Sequence, residues 1–209
     1  MNNTESPRNS HPSLRFLVPL AFQALLILAI PARAVYTSLT GETVVLQTVP
    51  VDPYDLLRGY YQTLQYDISR QENLEQLPGW NKLPTTGSGD YTYLESGTRF
   101  YVIMETPENS TATFNQPLPW KPVAVSLNRP DSLPENQIAL EGESNYGSIN
   151  YGLEKYYMPE DRREEINADI QQVNLQPGEE RPFVVEIKVD RFGNAVPVSL
   201  WVESRNYRF

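Results

Sequence analysis

The chain has 209 residues, 40% of them hydrophobic, and 26 acidic against 17 basic side chains give a formal net charge of −9; this suffices for one domain with its own core and short extras at the ends. It has no cysteine and one histidine, His11, in a polar leader, which excludes disulfides, thiolate nucleophiles and cysteine-ligated metals, and leaves the folded domain without histidine triads or histidine-held metals. Eighteen prolines and thirteen tyrosines against eleven glycines favour a β-rich fold with stiff turns over a helical bundle.

Residues 1–15 read as a cytoplasmic leader and residues 16–34 as a transmembrane anchor or signal segment. The run from Phe16 to Ile30 carries no charge, with Arg8 and Arg15 before it and Arg33 after it. As a helix at about 1.5 Å per residue it spans roughly 22 Å, or roughly 26 Å when extended to Ala32, a little short of a hydrocarbon core of about 30 Å, and Arg15 and Arg33 can snorkel outward at its ends. Ten strongly apolar residues, each favouring insertion by about 0.3 to 0.6 kcal/mol, offset Pro19 and Gln23. Ala32-Arg33-Ala34 is also a small-x-small site of the kind a signal peptidase cuts, so an uncleaved anchor and cleavage after Ala34 are both open. Either way residues 35–209 are expected outside the cytoplasm, because the N-terminal arginines stay inside. Most of the acidic residues lie in that part, which argues against nucleic acid as a partner.

In chain order, Thr43–Thr48 reads as a strand that Pro50 and Pro53 end. Asp52 can cap a short helical turn, with Pro53 at its first position, Asp55 three residues after the cap and Gly59 as its stop. From Tyr60 to Ser69 the chain alternates, with Leu64, Tyr66 and Ile68 on one face and Tyr61, Thr63, Gln65 and Asp67 on the other. Gln71–Gly97, punctuated by Pro78, Gly79, Pro84, Gly87 and Gly89, reads as a loop-like excursion. Thr98–Glu105 and Trp120–Leu127 are further strands, and Gln137–Gly142 and Asn150–Tyr157 are less regular candidates. Ile166, Ile170 and Val173 recur at helical spacing within Arg162–Val173, an amphipathic helix with a narrow apolar stripe laid on the sheet.

The last signal is a β-hairpin. Val185, Ile187 and Val189 share one strand face; Val196, Val198, Leu200 and Val202 share the next; Asp190–Asn194 joins them. About eight strands and one amphipathic helix, preceded by one N-terminal transmembrane or signal helix, predict a mainly β domain, an antiparallel barrel or a sandwich.

The stretch from Asp52 to Tyr66 resembles the signature after which the bacterial GDYXXLXY family is named. The matching residues are Asp52, Pro53, Asp55, Leu56, Gly59, Tyr61, Leu64 and Tyr66, with Tyr60 standing where the motif has its aspartate. A second family-like stretch runs from Tyr151 to Glu160 and supplies Tyr151, Gly152, Glu154, Tyr157, Pro159 and Glu160; further similarity lies in the segment from Val189 to Phe209. Gly89–Ser96 repeats the literal glycine, aspartate and tyrosine but reads as a coincidence in a loop. The resemblance implies a membrane-anchored extracytoplasmic protein of the bacterial cell membrane without an assigned activity, considered beside multi-pass membrane proteins. Its motif residues carry structural or interaction roles.

Chemistry without histidine or cysteine could come from a Ser/Lys dyad or from paired carboxylates. Ser38 follows the apolar segment, and the lysines are Lys82, Lys121, Lys155 and Lys188; the carboxylate pairs are Asp52 with Asp55 and Glu154 with Glu160. The aspartates already have a capping role, Glu154 beside Lys155 has the pattern of a surface ion pair, and Asp190 and Asn194 around Gly193 read as a tight turn, too short for a calcium loop. The leading expectation is therefore a non-enzymatic, membrane-tethered extracytoplasmic binding or accessory protein without cofactor or metal. Its partner would be an integral membrane protein or an envelope component. The alternative is an anchored hydrolase using Ser and Lys or the paired carboxylates.

Overall fold

The computed structural model describes residues 12–50, 61–88, 91–107, 115–157, 162–173 and 182–208. It begins with one long helix, α1 (Pro12–Thr40), 29 residues with Pro19 and Pro31 inside it. Proline is tolerated at such positions in apolar helices. The helix does not stop at Ala34 but continues to Thr40, and Gly41 alone separates it from β1 (Glu42–Pro50). The Gly41 N–H closes the last turn on the Thr37 carbonyl at 2.8 Å. A side chain at Gly41 would stand 2.5 Å from that oxygen and 3.0 Å from the Val189 nitrogen, so the close approach requires glycine.

The rest is mainly β, in three antiparallel sheets. β1 lies inside a six-stranded sheet with β2 (Tyr61–Tyr66), β9 (Lys155–Tyr157), β10 (Phe183–Val189), β11 (Ala195–Val202) and β12 (Arg205–Arg208), in the order β12-β11-β10-β1-β2-β9. A four-stranded sheet has the order β6-β5-β7-β8, from β5 (Arg99–Glu105), β6 (Lys121–Ser126), β7 (Gln137–Asn145) and β8 (Ser148–Asn150). β3 (Thr85–Ser88) and β4 (Tyr91–Leu94) form a separate hairpin. A barrel is not formed, since β12 and β9 end the larger sheet and β6 and β8 end the smaller one; a sandwich-like arrangement fits. One continuous core cluster joins Val44, Leu46, Leu64, Tyr66, Val185 and Ile187 of the first sheet to Phe100, Val102, Met104, Val125 and Leu140 of the second. Period-two alternation puts those residues on inward faces.

Several local expectations hold. The alternation of Leu64, Tyr66 and Ile68 is buried as a set, although the strand ends at Tyr66 and Ile68 falls in a 3-10 turn. α2 (Arg163–Gln172) buries Ile166 and Ile170 in the core, with Val173 packed against it. Three are corrected. The excursion from Gln71 to Gly97 contains the β3–β4 hairpin and three 3-10 turns, so the residues from Tyr91 to Leu94 form a strand and not a loop. These strands are short, β3 contains Gly87, and Leu94 is the buried anchor that β4 supplies. The segment Asn150–Tyr157 is not one strand: β8 pairs with β7 and β9 pairs with β2, so the chain changes sheets between them. In β11 the register slips opposite Glu186 and Ile187. That bulge reverses the parity of the strand, so Leu200 and Val202 are buried while Val196 and Val198 are only half-buried.

Candidate functional site

The two motif segments meet. Tyr66 and Tyr151 are buried, and each hydroxyl donates across the gap to the other segment's backbone: Tyr66 Oη to the Leu153 carbonyl at 2.9 Å, Tyr151 Oη to the Ile68 carbonyl at 2.7 Å. The Leu64 N–H donates to the Glu154 carbonyl at 2.9 Å. Beyond it Tyr61 pairs with Tyr157 and Thr63 with Lys155 in the β2–β9 ladder. Gly152 adopts φ +74° at the point where the chain leaves one sheet for the other, and the Glu154 carboxylate turns back to accept the Tyr151 N–H. Tyr66 and Tyr151 thus act as struts that satisfy carbonyls a sheet crossover would otherwise leave unpaired. Burial pushes the Tyr151 phenol well above its usual range, and the Glu154 charge adds to this, so the hydroxyl is held protonated as a donor.

Asp52, Pro53, Asp55, Gly59, Pro159 and Glu160 lie outside the described residues, and with them both members of one carboxylate pair and one member of the other. Ser38 is exposed on α1, Lys82, Lys121 and Lys155 are exposed, and Lys188 is half-buried on β10.

A second constellation, which the sequence did not announce, lies where α1 meets the β-domain. Thr37 in the last turn of α1 is buried and donates its hydroxyl to Asp190 Oδ2 at 2.7 Å. Asp190, also buried, accepts from the backbone N–H of Phe192 at 2.8 Å and of Asn194 at 3.1 Å, and from Asn194 Nδ2 at 2.9 Å. Burial by itself would raise this carboxyl; the bonds from Asn194, Thr37 and the two backbone N–H groups outweigh it and hold the group below its ordinary value. Asp190 and Asn194 therefore build a tight turn that also receives the helix. The only hint of this in the sequence is a hydroxyl in the last turn of an apolar helix.

Beside this contact opens a cleft of about 750 Å³ between α1 and the β7 side of the domain. Ile30, Arg33 and Ala34 form its helix wall, and Arg99, Glu141, Glu143 and Tyr151 contribute to the other. Arg33 approaches Glu141 at 3.9 Å, and Arg99 pairs with Glu143 at 3.2 Å. Alternating guanidinium and carboxylate groups suit polar or zwitterionic contacts. The tip of the β10–β11 turn is fixed to the same wall, because the Glu141 N–H donates to the Gly193 carbonyl at 2.9 Å.

The far side of the domain is tied differently: Asp169 of α2 takes Arg205 Nη1 on both oxygens at 2.6 Å and also binds the Tyr207 hydroxyl. Burial first, and then the bond to Asp169, raise the Tyr207 phenol, while Arg205 opposes them.

Residues 23–200 match the family model described as GDYXXLXY protein, from within α1 to β11, a range that takes in both motif segments and the helix junction. No curated protein and no solved structure matches the chain. A match over most of its length makes this chain a member of the GDYXXLXY family.

Proposed function

We propose that this protein is a membrane-tethered binding or accessory protein, held in the bacterial cell membrane by α1, with its β-domain outside the cytoplasm and an integral membrane protein or envelope component as its partner. The observation that supports this reading is the direct seating of the β-domain on the end of α1 through Thr37 and Asp190. The helix from Phe16 to Thr40 is apolar enough to cross a membrane, and its large apolar side chains are exposed. A partner in the same membrane would therefore meet the helix and the cleft beside it together. The helical continuity through Ala32-Arg33-Ala34 favours retention of the anchor over cleavage after Ala34, and Arg8 and Arg15 favour a cytoplasmic N-terminus.

The test is affinity purification of the C-terminally tagged chain from mild-detergent membranes at native expression, with mass spectrometry of its companions and its own N-terminus. An intact N-terminal segment with a stoichiometric membrane or envelope companion is the expected result. A chain that starts at Val35 and carries no companion would overturn the proposal.

A further inference from the structure

About twenty residue steps separate Phe16 from Tyr36 on α1, which at about 1.5 Å per step is about 30 Å, the thickness of a bilayer's hydrocarbon core. With Phe16 at one boundary, the other falls between Arg33 and Tyr36, so that Arg33 and its partner Glu141 stand at the hydrocarbon edge and Tyr36 at headgroup level. What surrounds Tyr36 is therefore decided by the β-domain docked there. Its ring faces Phe192, at the tip of the β10–β11 turn, with centroids 6.4 Å apart. Phe192 is half exposed, and Val35 and Leu39 on the same helix end are more exposed still. The Arg191 guanidinium lies 4.7 Å above the Phe192 ring.

This is an apolar and aromatic patch built from two distant parts of the chain, with a cation at its rim. In water it would be an unexplained exposure of large side chains. At a bilayer surface it has the composition expected of the interface, where aromatic rings settle at headgroup level and arginine reaches the phosphates.

We infer that the Arg191–Phe192 tip is a second membrane contact: Phe192 enters the headgroup and upper acyl region beside Tyr36, while Arg191 meets lipid phosphate. The occupant of the patch is lipid, because the patch is continuous with the apolar surface of α1 and lies at the depth where that surface leaves the hydrocarbon. The Asp190 turn supplies the rigidity. Its carboxylate holds the backbone of Phe192 and Asn194 and, through Thr37, the helix itself, so the tip has a fixed height relative to the anchor.

The inference rests on the anchored reading of α1, and its test separates the two. The chain has no cysteine, so single cysteines can be introduced at Leu25→Cys in the helix, Phe192→Cys at the tip and Ser204→Cys in the exposed turn at the opposite end of β11, each carrying a nitroxide. The full chain is reconstituted in phosphatidylcholine vesicles, and relaxation of each label by oxygen, which concentrates in lipid, is compared with relaxation by a water-soluble nickel chelate. The expected oxygen-to-chelate ratio is highest at residue 25 and severalfold higher at residue 192 than at residue 204. A ratio at 192 equal to that at 204, with 25 in lipid, overturns the tip contact and leaves the anchor standing. A label at 192 shielded from both reagents reports protein on the patch and also overturns it. An aqueous label at 25 removes the anchor and the inference together.

Discussion

Thr37 and Asp190 are 153 positions apart and share a buried 2.7 Å hydrogen bond that joins the end of the apolar helix to the turn of the last long hairpin. Replacing Thr37 by valine keeps the volume and removes the donor. Asp190 retains its other donors, so the cost should be about 1–2 kcal/mol. Chemical unfolding of the full chain in lipid nanodiscs, with Thr37→Ser as the conservative control, measures it; a valine variant as stable as the serine variant would show that the bond contributes nothing.

The same carboxylate sets a pH dependence. Its folded value lies below the 3.8 of a free side chain, so the unfolded chain binds the proton more tightly. The stabilisation is complete above the unfolded value and is lost as pH falls from there through the lower folded value. Asp190→Asn should flatten the acid limb of the stability curve below about pH 4 and leave its shape near neutrality unchanged. Parallel acid limbs in the two proteins would rule this out.

The tyrosine struts give a third expectation. Tyr66→Phe and Tyr151→Phe each strip the donor from a buried carbonyl, of Leu153 and Ile68 respectively, at about 1–3 kcal/mol apiece. Because both brace the same crossover, the double variant should depart from additivity by at least about 0.5 kcal/mol. A thermal or denaturant double-mutant cycle reads the coupling, and strict additivity would mean that the two struts act independently.

Gly142 is the floor under one of these rings. A Cβ there would stand 2.8 Å from Tyr151 Cε1 and 3.1 Å from Ile149 Cγ2. Gly142→Ala should therefore destabilise by about 1–3 kcal/mol, although alanine lowers the entropy of the unfolded chain. Pairing it with Tyr151→Leu should relieve part of the cost; no relief would place the clash elsewhere.

How much of this was legible in the sequence depends on the range of the interaction. Alternation showed the inward face of Val185, Ile187 and Val189 because one face of that strand meets the core. Helical spacing did the same for Ile166 and Ile170. It could not show that β11 carries a bulge, since a one-residue slip is set by the partner strand and leaves no local trace. Nor could it separate β8 from β9, whose partners lie in different sheets, or decide between barrel and sandwich, which turns on whether the outermost strands find each other. The motif residues Leu64, Tyr66, Tyr151 and Glu154 were found by resemblance, and their roles emerged only when the two stretches were brought together. Thr37 and Asp190 were missed as a pair because nothing within a few residues of either predicts the other.

Gly41 stands alone between α1 and β1, and the Thr37 bond braces the joint from the side. No flexible linker therefore lies between helix and domain: α1 and a central strand of the larger sheet form one lever. β1 is 9 residues long, about 30 Å at about 3.3 Å per residue, so a helix tilt of about 10° would swing its far end through about 5 Å. With α1 as the anchor proposed above, changes in bilayer thickness, or the grip of a neighbouring helix, would reach the sheet as a displacement that a flexible linker would have absorbed.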